Sequence, residues 1–166
     1  MGDALLIRTA SVSDAPVIAR HRAGMFRDMG QLPPALYAEL LDVTIAYLSR
    51  AIPSGEYVGW LASEHETADV VAGAGVQLRR ILPRPIATDG TYRIALAREA
   101  IVLNVFTETA WRRKGIARQL MNHVLEWAAG AQIDRLVLHA SEEGRPLYER
   151  LGFVLTNEMR YAKPLR

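Results

Sequence analysis

Residues Thr107 to Arg118 read Thr-Glu-Thr-Ala-Trp-Arg-Arg-Lys-Gly-Ile-Ala-Arg, and this stretch decides the reading of the chain. Before it lies a strongly apolar strand, Glu99 to Thr107. After it comes a helix, Gly115 to Ala129, with Ile116, Leu120, Val124 and Ala128 on one face and Gly130 at its stop. A helix N-terminus carries partial positive charge and unpaired N–H donors, so acidic or capping side chains are favoured there. This one is entered through Arg112, Arg113 and Lys114 and followed by Arg118. Each exposed cation at that end costs about 0.3 to 1 kcal/mol. The arrangement makes sense if an anion sits in the turn. Gly115 lets the backbone come close and the small Ala117 leaves room, which together describe a phosphate cradle. A solvated basic turn, or a contact with RNA phosphates, is the competing reading.

Working outward, the first half carries strands at Leu5 to Arg8, Tyr57 to Ser63 and Val70 to Leu78. Two helices lie between the first and second of these. One is signalled by the capping-box spacing Ser11 to Asp14 and by Pro16, runs to about Met29, and places Ile18, Met25, Phe26 and Met29 as apolar contacts. The next opens at Pro33-Pro34 and carries Leu36, Leu40, Val43, Tyr47 and Leu48 as its expected buried stripe. Gly73-Ala74-Gly75 has Leu78 where a dinucleotide fingerprint needs its third glycine, so a bulge or close contact explains the glycines better. Arg79 to Arg98 holds five arginines against one acid, Asp89, and is expected to be a long loop or hairpin. Beyond the cradle follow a strand at Arg135 to Ala140, a short helix at Pro146 to Leu151, and a closing strand at Phe153 to Lys163. The expectation is one α/β domain over residues 1–166 with a mixed sheet.

Composition narrows the chemistry. With 166 residues, 50% hydrophobic and 23% charged, the chain is an ordinary globular one. It has no cysteine, which removes disulfides, thiolate metal sites and a cysteine nucleophile. His21, His65, His123 and His139 are scattered without metal-ligand spacing, so no metal is expected. Neither a Walker phosphate loop nor a G-x-S-x-G elbow is present. No apolar run reaches the length of a membrane span, and Met1 to Ile7 lacks the features of a secretory signal, so a cytoplasmic protein is expected.

Arg112-Arg113-Lys114-Gly115-Ile116-Ala117 resembles the R/Q-x-x-G-x-G/A signature of the GNAT superfamily of acyl-CoA-dependent N-acetyltransferases. A second segment, Leu147-Tyr148-Glu149-Arg150-Leu151-Gly152-Phe153, is similar to that family's L-Y-x-x-x-G-F. The two motifs stand in the family's order, with a strand between them. The resemblance implies a mostly antiparallel sheet flanked by helices, whose fourth and fifth strands (Glu99 to Thr107 and Arg135 to Ala140) are parallel and splay apart. The pantetheine arm of acetyl-CoA would enter the gap and pair with main-chain groups of Val105, Phe106 and Thr107. Its pyrophosphate would sit on the N–H groups of Arg113, Lys114, Gly115, Ile116 and Ala117, with Arg112 and Arg118 as nearby charges. Three positions depart from the family pattern. Thr109 stands where proline is common, Ser141 where a cofactor-contacting asparagine is common, and Ile101 where many members carry a glutamate base.

The activity so implied is acetyl transfer from acetyl-CoA to a primary amine, of a small molecule or a peptide, by direct attack in a ternary complex. Glu99, the nearest carboxylate of matching parity, or a water chain would take the amine proton. The main-chain N–H near Val105 would hold the developing oxyanion, and Tyr148 would protonate the departing thiolate. Met25, Phe26, Met29 and Tyr37 would line an acceptor pocket or simply form core. A homodimer is the family-level expectation. Two rivals remain at this level: an acyl-CoA-binding regulatory module without turnover, and an RNA-associated protein, the latter disfavoured by the scarcity of aromatics among the arginines.

Overall fold

The computed structural model describes residues 5–95, 98–160 and 162. Its elements are β1 (Leu5–Thr9), α1 (Ala15–Asp28), α2 (Tyr37–Ala51), β2 (Tyr57–Glu64), β3 (Val70–Arg80), β4 (Arg84–Thr88), β5 (Thr91–Ala95), β6 (Arg98–Thr107), α3 (Ile116–Gly130), β7 (Arg135–Leu138) and α4 (Arg145–Arg150). Five strands form one sheet in the order β1-β2-β3-β6-β7. Every neighbouring pair is antiparallel except β6 and β7, which run parallel. The mixed α/β sheet with a parallel pair after the cradle strand is the architecture expected from the sequence.

The period-2 alternation of the strands sends side chains to two cores. Trp60, Ala62, Ala72, Val76, Ala100 and Val102 meet Ile116, Leu120, Met121 and Val124 of α3 on one face. Tyr57 and Leu61 face the other way, onto Ala15, Val17 and Ile18 of α1 and Leu48 and Ala51 of α2. The start of α1 is fixed as its sequence suggests: Asp14 accepts the Ser11 N–H at 2.7 Å and is gripped by both Arg8 guanidinium ends at 2.8 and 2.7 Å. The basic segment after β3 forms a two-stranded hairpin of its own. Asp89 and Gly90 both take positive φ (48° and 77°), the conformation a type I′ turn demands.

Three expectations are corrected. Of the expected α2 stripe Leu48 is buried, but Leu36 and Val43 are exposed and the other buried residues are Thr44 and Ala51. Met29 of the first helix is likewise exposed. No strand follows α4 among described residues 153–160 and 162; Tyr161 and Lys163 lie outside them. After Gly152 (φ 93°) the chain turns back on the helix instead, with the Phe153 N–H donating to the Tyr148 carbonyl at 3.0 Å. Val154, Leu155 and Met159 are exposed, so apolar alternation there found no strand partner.

Candidate functional site

The site grows from the way β6 leaves its neighbours. It pairs with β7 only from Glu99↔Arg135 to Val102↔Leu138. From Leu103 to Thr107 its β7-facing edge has no partner strand among the described residues, and this is the splay that the resemblance implies. On its other side the ladder with β3 slips between Gly73 and Gly75, opposite Phe106 and Leu103. Asn104 makes this bulge by taking φ 57°, which turns a residue of core-facing parity onto the α1 side. Glycines on β3 are required by close approach: a Cβ on Gly75 would stand 2.0 Å from the Tyr57 hydroxyl.

Asn104 is buried, and its side chain is a junction. Its Oδ1 accepts a hydrogen bond from Arg22 Nη1 of α1 at 2.7 Å, and its Nδ2 donates to the Tyr57 hydroxyl at 3.3 Å. Neither Arg22 nor Asn104 stands out in the sequence, because only the bulge brings them together. Beside them Phe106 lies 5.2 Å from the ring of His21, and Gly24 of α1 presses against it so closely that a Cβ would meet the Phe106 ring at 2.9 Å.

At the far end of β6 the chain enters the cradle. Gly115 caps α3 with φ 78°, and Arg113 also takes a left-handed φ of 62°. Alternating handedness of this kind points successive N–H groups into one concavity. The first turn of α3 adds N–H groups that no intrahelical carbonyl can reach. A Cβ built on Gly115 meets nothing within 4 Å, so the space the glycine faces is open. Arg113, Lys114 and Arg118 are exposed around it and the first turn contains no acid. Backbone and charge therefore suit a phosphate group. Arg112 is placed differently from expectation. It pairs with Asp28 of α1 at 2.5 Å, donates from Nε to the Thr107 carbonyl at 2.9 Å, and stacks over Phe106. It ties the cradle loop to α1, so its charge is partly spent.

The remaining expected residues fall in two groups. Tyr148 packs against Phe153, and its ring lies under Gly144; burial pushes its hydroxyl pKa up, which keeps it a proton donor at neutral pH. Ser141 accepts the Gly144 N–H at 3.1 Å and so shapes the entry to α4. Glu99 is the correction. It is 2% exposed and sits directly across the strands from Arg79 and Arg135, at 3.6 and 2.5 Å. The Arg135 contact is an ion pair without a directed hydrogen bond. Glu99 also lies four residues before the splay opens, about 13 Å along the strand. It is a cross-strand charge clamp and does not reach the open edge.

His21 is 2% exposed, and neither ring nitrogen has a hydrogen-bond partner among the described residues. Glu108 lies 3.6 Å from Nε2 but is half exposed, and burial wins: the imidazole pKa is pushed down to about 4, with Arg20 adding to the effect. A neutral buried histidine costs stability wherever the unfolded chain binds a proton that the native state refuses. Stability should therefore be fully present above pH 6.5 and fall as the pH drops from 6.5 to 4, by up to about 3 kcal/mol. Asp14, held at about 2 by Arg8, stays charged through that window. Urea melts of wild type and His21→Gln across it should show the clearly steeper fall in the wild type, Asp14 adding only a small shared loss near pH 4; equal slopes would remove His21 as the source of the difference.

A parallel strand pair that parts before a basic, glycine-capped helix N-terminus is the pattern this α/β fold presents. The family model of the GNAT acetyltransferase domain matches residues 90–166. The fold is similar to that of a GCN5-related N-acetyltransferase from Ralstonia eutropha JMP134, at 30% identity over 98% of this chain and 99% of that one, with a TM-score of 0.80. It is also similar to a predicted acetyltransferase with acetyl-CoA from Clostridium acetobutylicum, at 25% identity over 96% of both chains and a TM-score of 0.77. Glucosamine-6-phosphate N-acetyltransferase from Arabidopsis thaliana shares the fold at 13% identity, with a TM-score of 0.66 over 98% of this chain and 99% of that one. No curated protein matches the sequence. The chain belongs to the GNAT superfamily of acetyltransferases. No described helix is long and apolar enough to cross a membrane, and no cluster of three metal-ligating side chains occurs among the described residues.

Proposed function

We propose that the protein, as one domain spanning 1–166, moves the acetyl group of acetyl-CoA to a primary amine by direct attack in a ternary complex. The observation that carries this reading is the continuity of two features: the β6 edge left open from Leu103 to Thr107 runs into the cradle at Arg113 to Ala117. Acetyl-CoA supplies the acetyl group as an activated thioester. Main-chain groups of Val105, Phe106 and Thr107 bind its extended arm as a strand would. The N–H groups of Arg113, Lys114, Gly115, Ile116 and Ala117 hold its pyrophosphate, with Arg118 alongside. Arg112 positions this loop through Asp28 and Thr107.

Near Val105 the main-chain N–H stabilises the carbonyl oxygen as it gains charge. Tyr148, kept protonated by burial, donates to the leaving sulfur. With Glu99 locked between two arginines, the amine loses its proton to a water chain leading out of the cleft. Titration calorimetry with acetyl-CoA tests the binding half of this reading. Tight binding that persists at raised salt supports it. Weak binding of acetyl-CoA beside salt-sensitive binding of RNA would replace it with the nucleic-acid reading.

A further inference from the structure

Arg22 is a half-buried cation for which the transfer chemistry above has no task. One end of its guanidinium, Nη1, is spent on Asn104 at 2.7 Å, and one face lies over the ring of Phe26 at 4.8 Å from the centroid. Nε and Nη2 make no hydrogen bond among the described residues, and none of the ion pairs formed by those residues includes Arg22. By contrast, Arg8, Arg79, Arg112 and Arg135 each pair with a carboxylate. Burial holds the Arg22 pKa below its usual value, so the cation is short of the solvation that an anion would restore. Its place is specific. Asn104 is the bulge residue two positions past the last β6–β7 pair, so the guanidinium stands on the α1 side of the point where the strands part.

We infer that Arg22 binds a carboxylate of the acceptor, so that the acceptors are amines that also carry a carboxylate. The free Nε and Nη2 edge is the planar two-donor fork that matches a carboxylate in a bidentate pair, and Phe26 with Asn104 fixes its plane. One such fork without a second cation hydrogen-bonded into the Asn104 junction suits a carboxylate better than a phosphate dianion. This inference rests on the proposed acetyl transfer and names its acceptor class.

The test uses matched amines with acetyl-CoA and reads thiol release: phenylalanine against phenethylamine, tryptophan against tryptamine, lysine against cadaverine. In wild type the carboxylate member of at least one pair should lead in kcat/KM by about ten-fold or more. Arg22→Gln should erase that lead while the neutral member and the acetyl-CoA dissociation constant by calorimetry change little. Because amine basicity is the same for both proteins, the change in ratio isolates the arginine. Arg22→Lys, which keeps the charge and loses the fork, should retain only part of the lead and serves where the glutamine variant does not fold. A lead that survives Arg22→Gln, or a loss shared equally by both members, overturns the inference and leaves acetyl transfer standing. Thiol release from no amine, with acetyl-CoA bound, overturns both.

Discussion

Gly115→Val should abolish acetyl-CoA binding while leaving the fold intact. Gly115 has φ 78°, a conformation β-branched residues almost never adopt and one that costs on the order of 1 to 3 kcal/mol when forced. The loop leading into it, Arg112 to Lys114, is exposed, so the strain is relieved by moving that loop and not by unfolding the core. Moving the loop rotates the N–H groups of Arg113 to Ala117 out of their common concavity. The added side chain also enters the open space in front of the turn, where nothing lies within 4 Å of the new Cβ. Losing several charge-assisted bonds of about 1.5 to 3 kcal/mol each weakens binding by at least about 100-fold. Calorimetry with circular dichroism checks both halves. An unchanged dissociation constant in a folded variant removes the cradle from the cofactor site.

The second large effect is expected at Tyr148. The substitution Tyr148→Phe keeps the ring that packs on Phe153 and removes only the hydroxyl. Burial raises the pKa of that hydroxyl, so it stays protonated over the whole neutral range and has a proton to offer the sulfur as the carbon–sulfur bond breaks. A thiolate with an ordinary pKa of about 8.5 is only moderately unstable at neutral pH, and protonating it should be worth about 100-fold, the lower end of acid–base assistance. The variant should lose that factor in kcat while the acetyl-CoA dissociation constant stays put. If kcat is normal and cofactor affinity falls instead, Tyr148 is a contact residue and water protonates the sulfur.

What the sequence shows and what it hides divide along physical lines. The cradle is legible because its signal is local: cations and a glycine at a helix start conflict with the helix dipole unless an anion is present. The parallel β6–β7 pair is what the family resemblance implies, and the helix between the two buried strands is consistent with it. The junction of Arg22, Asn104 and Tyr57 is not legible, since it depends on one left-handed residue that breaks the alternation of β6. Parity counted straight through Asn104 assigns its side chain to the wrong face. Glu99 misleads for a related reason: parity gives its face but not the two arginines across the ladder, which follow only from register. The α2 stripe slips because Val43 and Thr44 are both compatible with a buried position, and the helix that turns Leu48 and Ala51 onto Ile18 and Leu61 carries Thr44, not Val43, inward. The absence of a strand among described residues 153–160 and 162 shows that alternation marks a segment able to form a strand without supplying an edge for it.

Acetyl transfer to an amine is tested most directly by following the release of the thiol. Purified protein is mixed with acetyl-CoA and a panel of small amines, amino acids and peptide N-termini, and free thiol is followed with time. The chain has no cysteine, so every thiol detected comes from the cofactor. Amine-dependent thiol release that ceases in Gly115→Val is the predicted result. Bound acetyl-CoA with no thiol released under any amine would contradict it and leave a protein that holds the cofactor without turning it over.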